Sequence, residues 1–175
     1  MVESKNIVID FFNLGTIKDI SPICFGTLNI KPMSDEFARV LEVVPDQTFI
    51  DTAEICGSEN GETEEEMSKA LLNNKHQQYL VGTKFAPLPW RRRCFSVVSA
   101  CQESLKRLGK EKIDFYQIHY ADRGIFGYAI QDETFWDGVA QCYEDGLISN
   151  IGVCNYGPNM IHGFIIILPY KEAYP

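Results

Sequence analysis

The run Tyr79–Lys84, YLVGTK, is followed by a helix-period stretch at Phe95–Leu108, a glycine at 109 and a second β-rich run at Ile113–His119, IDFYQIH. Two short apolar strands separated by an amphipathic helix form a βαβ unit, and repeated units of this kind build a parallel sheet. The same alternation extends in both directions. Ser21–Phe25 closing on Gly26, the short apolar Thr48–Asp51, and Ile148–Cys154 (ISNIGVC) bring the strands to five, and further helices are predicted over Asp35–Val44, Glu62–Asn73 and Thr134–Asp145. Gly109 and Gly146 stop the third and fourth helices, where a helix C-cap needs the left-handed backbone that glycine tolerates. Ile7–Leu14 and Ile17–Ile20 fit a hairpin around Gly15 ahead of the first strand. In the last helix, Trp136, Val139, Ala140 and Tyr143 recur at helical spacing and are expected to pack on the sheet.

Composition narrows the functional classes. Of 175 residues, 45% are hydrophobic and 23% charged, the proportions of a folded domain, and no linker or repeat divides the chain, so a single domain over 1–175 is expected. A formal net charge of -8, with Arg91–Arg93 as the one basic cluster, argues against a nucleic-acid partner held by phosphate neutralisation. The strongest apolar run, Phe164–Leu168, is far shorter than the roughly 20 residues that cross a bilayer, so no membrane partner is expected. Met1–Asn6 is polar and no small-residue cleavage site follows, which points away from export. Cys24, Cys56, Cys94, Cys101, Cys142 and Cys154 form no CxxC pair, so neither a disulfide framework nor a metal site is expected.

Polar residues gather where strands end: Asp51, Lys84, His119 and Asn155. In parallel α/β folds the carboxyl ends of the strands form one face, and function concentrates there because the loops vary while the sheet stays packed. Taken alone, Asp51 and Lys84 could be an ion pair between neighbouring strands, and His119 a hydrogen-bonded core histidine.

The segments ISPICFGTLN, FIDTAEICGSENGETEEEMSKAL, LVGTKFAPLPWR, SLKRLGKEKIDFYQIH and WDGVAQCYEDGLISNIGVCNYGP, spread from about Asn13 to Ile161, resemble the aldo-keto reductases in order and content. The TKFAPLPWR and NYGP wording is most similar to a subgroup found in plants, algae and cyanobacteria. The resemblance implies a (β/α)₈ TIM barrel, present here as an incomplete one of five βα units behind a short hairpin. It implies hydride transfer between NADPH and a small-molecule carbonyl. It also places the family's catalytic Asp, Lys and His at Asp51, Lys84 and His119, and its cofactor contacts at Thr27, Asp51, Cys154 and Asn155. For Thr27, loop capping is the plainer alternative. The subgroup suggests a plastid, but no Arg- and Ser-rich transit segment precedes the barrel, so the cytoplasm is the expected location.

Three departures from the family pattern stand out, and the first two shape the expectation of activity. The family's catalytic Tyr, five residues after the Asp, is replaced by Cys56 in DTAEICG. A thiol with a reference pKa of about 8.5 can release a proton, yet its sulfur ends short of where a tyrosine oxygen lies, and losing a positioned acid costs about 10²- to 10⁴-fold in rate. A thiol beside a lysine also permits redox sensing, with an inert buried thiol as the plainer alternative. A complete barrel needs about 250 residues, and the later units carry the aromatic that stacks on nicotinamide and the bases that bind the 2′-phosphate. The connection between Gly26 and Asp51 is also shorter than the resemblance implies. A weak or inactive reductase is therefore expected. The alternatives are a non-catalytic interaction module, self-associating or docking through open barrel edges, and a non-functional gene fragment. Inward residues, taken to include Ile50, Val81, Phe115 and Val153, would face water or a partner.

Overall fold

The computed structural model describes residues 12–28, 35–55, 61–73, 78–121 and 132–158. A hairpin of β1 (Phe12–Leu14) and β2 (Ile17–Ile20) comes first. Four strand–helix units and a last strand follow: β3 (Cys24–Gly26) and α1 (Asp35–Val43), β4 (Phe49–Asp51) and α2 (Glu62–Asn73), β5 (Leu80–Phe85) and α3 (Cys94–Leu108), β6 (Ile113–Ile118) and α4 (Asp132–Glu144), then β7 (Ile148–Val153). The five later strands form one sheet in the order β3-β4-β5-β6-β7, each pair parallel. Strand order following chain order, with a helix between successive strands, is the winding of a barrel.

Both expected glycine stops occur. Gly109 and Gly146 have φ of 63° and 73°. At the end of α3, Gly109 N–H donates to the Lys106 carbonyl and Lys110 N–H to Leu105; at the end of α4, Gly146 N–H donates to Tyr143 and Leu147 N–H to Cys142. These paired bonds satisfy carbonyls that a helix end leaves open, and they turn the chain into the next strand.

The sheet has two unlike faces. Ile50, Val81, Phe85, Tyr116 and Ile118 lie in one buried cluster with Leu41 of α1, Met67 of α2, Val97 and Leu105 of α3, and Phe135, Val139 and Cys142 of α4. The core therefore lies between sheet and helices. The inward assignment of Ile50, Val81 and Val153 is corrected: Ile50 and Val81 are fully buried on the helix-facing side, and Val153 is level with Ile118 on that same side. The reason is the two-residue period of a strand: once Asp51 points inward, Ile50 beside it must point outward. The expected buried stripe of α4 shifts as well. Phe135, Gly138, Val139 and Cys142 are buried, whereas Ala140 and Tyr143 are exposed. Gly138 allows the close approach of α3, because a Cβ there would sit 2.7 Å from the Cys94 carbonyl oxygen and 2.6 Å from Val97 Cβ.

A buried polar network joins α2, α3 and the helix-facing side of β5. Glu64 is fully buried and accepts hydrogen bonds from Thr83 Oγ1 and Arg107 Nε, each at 2.6 Å. Arg107 also donates to Ser104 Oγ at 3.1 Å. Each charge is paired and hydrogen-bonded, which is the condition for burying it.

Candidate active site

The inner face carries Phe49 and Asp51 of β4, Gly82 and Lys84 of β5, Phe115 and Gln117 of β6, and Asn150 and Gly152 of β7, as the register sets them side by side. Phe49 and Phe115 meet edge to face at 5.4 Å. Between them Gly82 is obligatory, because a Cβ there would lie 2.4 Å from the Phe49 ring. Asn150, level with Phe115, accepts from Thr16 N–H at 2.9 Å and so seats the hairpin on this face. Beyond the aromatic pair, toward the carboxyl ends of the strands, the face turns polar.

Lys84 is 5% exposed, and its Nζ donates to Asp51 Oδ1 at 2.7 Å and to the Thr52 carbonyl at 2.8 Å. The Asp51 carboxylate ends its strand and keeps 34% of its side-chain surface open. His119 follows β6 directly; its N–H donates to the Phe85 carbonyl at 2.9 Å, and its half-buried ring has an Nδ1 atom buried without a hydrogen-bond partner among the described residues. Burial pushes the imidazole below its ordinary pKa, and the Lys84 charge pushes the same way, with Asp51 opposing. His119 is therefore neutral at pH 7. Asp51, Lys84 and His119 thus converge at one end of the sheet.

The other sequence candidates have defined places. Thr27 is buried, and its N–H and hydroxyl both reach the Asp51 carbonyl, at 3.0 and 3.2 Å, the capping role expected as its alternative. Cys154 N–H donates to the Ile118 carbonyl at 2.9 Å. Asn155 takes φ of 60°, a left-handed conformation that asparagine tolerates, and its Nδ2 donates to the His119 carbonyl at 2.9 Å and to Cys154 Sγ at 3.3 Å. It ties the loop after β7 to the loop after β6. Cys56 lies outside the described residues.

Three neighbours were missed from sequence. Gln117 Nε2 donates to Asp51 Oδ1 at 3.4 Å; counting back two from His119 would have placed it inward. Glu54, 3% exposed, accepts from Ala86 N–H at 2.6 Å and pairs with Arg91, joining the loops after β4 and β5. Its signal lay in the DTAE run, three residues after Asp51. Cys24 stands on β3 level with Phe49, and its thiol is pushed up by burial and by the Asp51 charge, with Lys84 opposing.

Residues 22–163 match the model of the aldo/keto reductase family. The chain belongs to that family. The chloroplastic pyridoxal reductase of Arabidopsis thaliana is 34% identical over 161 residues, covering 81% of this chain and 43% of the reductase. The aldo-keto reductase YhdN of Bacillus subtilis is 30% identical over 136 residues, 73% of this chain and 39% of the relative. Among solved structures, an aldo-keto reductase from Klebsiella pneumoniae in complex with NADPH superposes with a TM-score of 0.71 at 20% identity, covering 91% of this chain and 54% of that one. A thermostable aldo-keto reductase in complex with the inhibitor epalrestat gives 0.72 at 26% identity, covering 91% and 58%. This aldo/keto reductase chain thus spans about two fifths of the length of those curated relatives and rather more than half of those structures. Its fold is five strands of a (β/α)₈ barrel, incomplete, with a short hairpin in front. No helix among the described residues is long and apolar enough to cross a membrane.

Proposed function

We propose that this chain carries the proton-handling part of an NADPH-dependent carbonyl reductase, and that Cys56 makes the reduction slow. The observation that carries this reading is the buried Lys84 ammonium held at 2.7 Å on Asp51, beside a neutral His119, at the carboxyl end of a parallel sheet. Two features suit a nicotinamide and a carbonyl there. The Nδ1 of His119 is buried without a partner among the described residues, and the Asp51 carboxylate stays a third open beside Lys84.

When bound, NADPH supplies the hydride that reduces a carbonyl carbon. This chain's residues must handle the negative charge that appears on the carbonyl oxygen. Neutral His119 can present a ring N–H toward that oxygen without delivering a full charge. Lys84 contributes a fixed positive charge, which Asp51 holds in one orientation. The proton itself needs a donor within hydrogen-bond reach, and at the family's Tyr position the donor is the Cys56 thiol, shorter by most of a ring. By resemblance, Thr27, Asp51, Cys154 and Asn155 hold the cofactor. Thr27 and Asn155 also shape this end of the sheet through their bonds to the Asp51 and His119 carbonyls.

The test is loss of NADPH absorbance with 4-nitrobenzaldehyde as substrate, comparing the chain with its Lys84→Met variant. Turnover that is slow in the chain and absent from Lys84→Met supports the reading. Equal turnover in both overturns it.

A second reading rests on β3 and β7, the two edges of the five-stranded sheet among the described residues, near which Ile23, Leu28 and Ile151 are exposed. Unpaired edges template further pairing. On this reading the chain docks through its edges and is not a catalyst; a monodisperse monomer at micromolar concentration by light scattering overturns it.

A further inference from the structure

Among the described residues, two side chains donate to the Asp51 carboxylate, Lys84 and Gln117, and only Lys84 has a place in the reading above. Strand β6 presents Phe115 and Gln117 to the inner face in succession, level with Gly82 and Lys84 of β5. Position 117 could be filled by an apolar side chain of the same length, continuing the packing that Phe115 begins. Instead it holds an amide whose Nε2 donates to Asp51 Oδ1 at 3.4 Å, the same oxygen that receives Lys84 Nζ at 2.7 Å.

Asp51 lies two strands away from Gln117, so the amide must cross the inner face to reach it. The inner face makes room at both ends of that span. In register, Gln117 stands beside Gly152, and a Cβ at Gly152 would come 3.0 Å from Gln117 Cγ and 3.6 Å from Cδ. The missing side chain is the space in which the glutamine stem lies. At the far end, Asp51 is level with Gly82, so no side chain stands between the carboxylate and the centre of the face.

The chemistry at 117 is selective. Lys84 has its own acceptors in Asp51 Oδ1 and the Thr52 carbonyl, so the glutamine is not required to complete the ammonium. What Gln117 adds is a second donor on the carboxylate. A cation at 117 would compete with Lys84 for Asp51, and a carboxylate would repel it. A neutral N–H donor fixes Asp51 without altering the charge balance of the pair. The Gln117 donor, long at 3.4 Å, adds a second restraint on Asp51 Oδ1, which in a carboxylate with a third of its surface open could otherwise turn to water.

We propose that Gln117 is a positioning residue that acts through Asp51 to hold the Lys84 ammonium in its catalytic orientation. Its consequence for turnover rests on the reductase reading; its effect on Lys84 does not. Two variants separate positioning from packing. Gln117→Leu removes the donor on a side chain one atom shorter, and Gln117→Glu keeps the full stem over Gly152 and replaces the donor with a repelling acceptor.

The first readout is the ¹⁵N nuclear magnetic resonance signal of the Lys84 ammonium in the 175-residue chain, which is resolved only when the group is held and shielded from rapid exchange with water. The expected result is a resolved signal in the parent and its loss in both variants, with far-ultraviolet circular dichroism unchanged. Wild-type signals in both variants overturn the proposal, as does loss in Gln117→Leu alone, which a packing role would produce. The second readout is aldehyde turnover in a Cys56→Tyr background, where each variant is expected to lower kcat about fivefold and leave KM unchanged, the effect of one hydrogen bond. A rise in KM at constant kcat overturns the catalytic consequence. Loss of the ammonium signal in both variants, with turnover absent even from the Cys56→Tyr parent, supports Gln117 as the Lys84 positioner and counts against the reductase reading instead.

Discussion

Replacing Lys84 with methionine should barely change the stability of the fold, although it removes a buried charge and two hydrogen bonds. Opposing terms set this result. The lost bonds, to Asp51 Oδ1 at 2.7 Å and to the Thr52 carbonyl at 2.8 Å, are charge-assisted and contribute about 1.5–3 kcal/mol each in general. Against them stands the cost of keeping an ammonium 5% exposed, which is several kcal/mol per buried ion and disappears in the variant. The Asp51 carboxylate left behind is not stranded, because 34% of its side chain faces solvent and Gln117 still donates to it. The net change should lie within about 1 kcal/mol of zero, or a Tm shift of about 2–4 °C for a chain of this size.

Glu64→Leu is the contrasting control. That carboxylate has no exposed surface, its bonds to Thr83 and Arg107 are both at 2.6 Å, and its removal leaves the Arg107 guanidinium largely buried with, among the described residues, Ser104 and a 3.8 Å contact to Glu103. Breaking such a pair costs about 3–5 kcal/mol. Differential scanning calorimetry of both variants checks the comparison. If Lys84→Met lowers Tm as much as Glu64→Leu does, the inner-face pair is a structural clasp, and the division between a functional inner face and a structural outer face is wrong.

Further outcomes follow from the same geometry. His119 is held neutral by burial and by Lys84, so the unfolded chain takes up its proton first as pH falls below about 6.5; stability is therefore present above that pH and lost below it. Thermal melts from pH 7 to 5 should show a steeper loss for the parent than for His119→Asn, and equal slopes would refute the assignment. Gly138→Ala should destabilise by about 1–3 kcal/mol through the clash with the Cys94 carbonyl and Val97, read by urea denaturation, and a neutral result would mean that α3 and α4 pack less closely than they do here.

Much of this architecture was legible because its signals are local. YLVGTK and IDFYQIH carry their strand character in short apolar runs, and Gly109 and Gly146 announce helix ends through a backbone angle that other residues avoid. The α2 bounds Glu62–Asn73 emerged as expected. The faces of the strands were harder to read. Ile50 and Val81 look like interior residues by hydropathy, but in a barrel the larger apolar core lies between sheet and helices, so the most apolar positions point outward. The polarity of Asp51 and Lys84 already fixed the alternation, and hydropathy alone could not override it. On α4, Tyr143 matched the helical period yet falls at the edge of the buried stripe, because Gly138 brings α3 in along a neighbouring line. The contacts of Gln117, Glu54 and Arg91 escaped notice because their partners are 66, 32 and 37 residues away, distances that strand register closes and periodicity does not reveal.

By resemblance Cys56 stands at the family's proton-donor position, and the proposed slow reduction rests most heavily on that placement. The most direct measurement is turnover of 4-nitrobenzaldehyde at saturating NADPH by the 175-residue chain and by its Cys56→Tyr variant. Restoring a donor that reaches the carbonyl oxygen should raise kcat by about 10²- to 10⁴-fold. Equal rates in the two proteins, or no turnover in either, would contradict it.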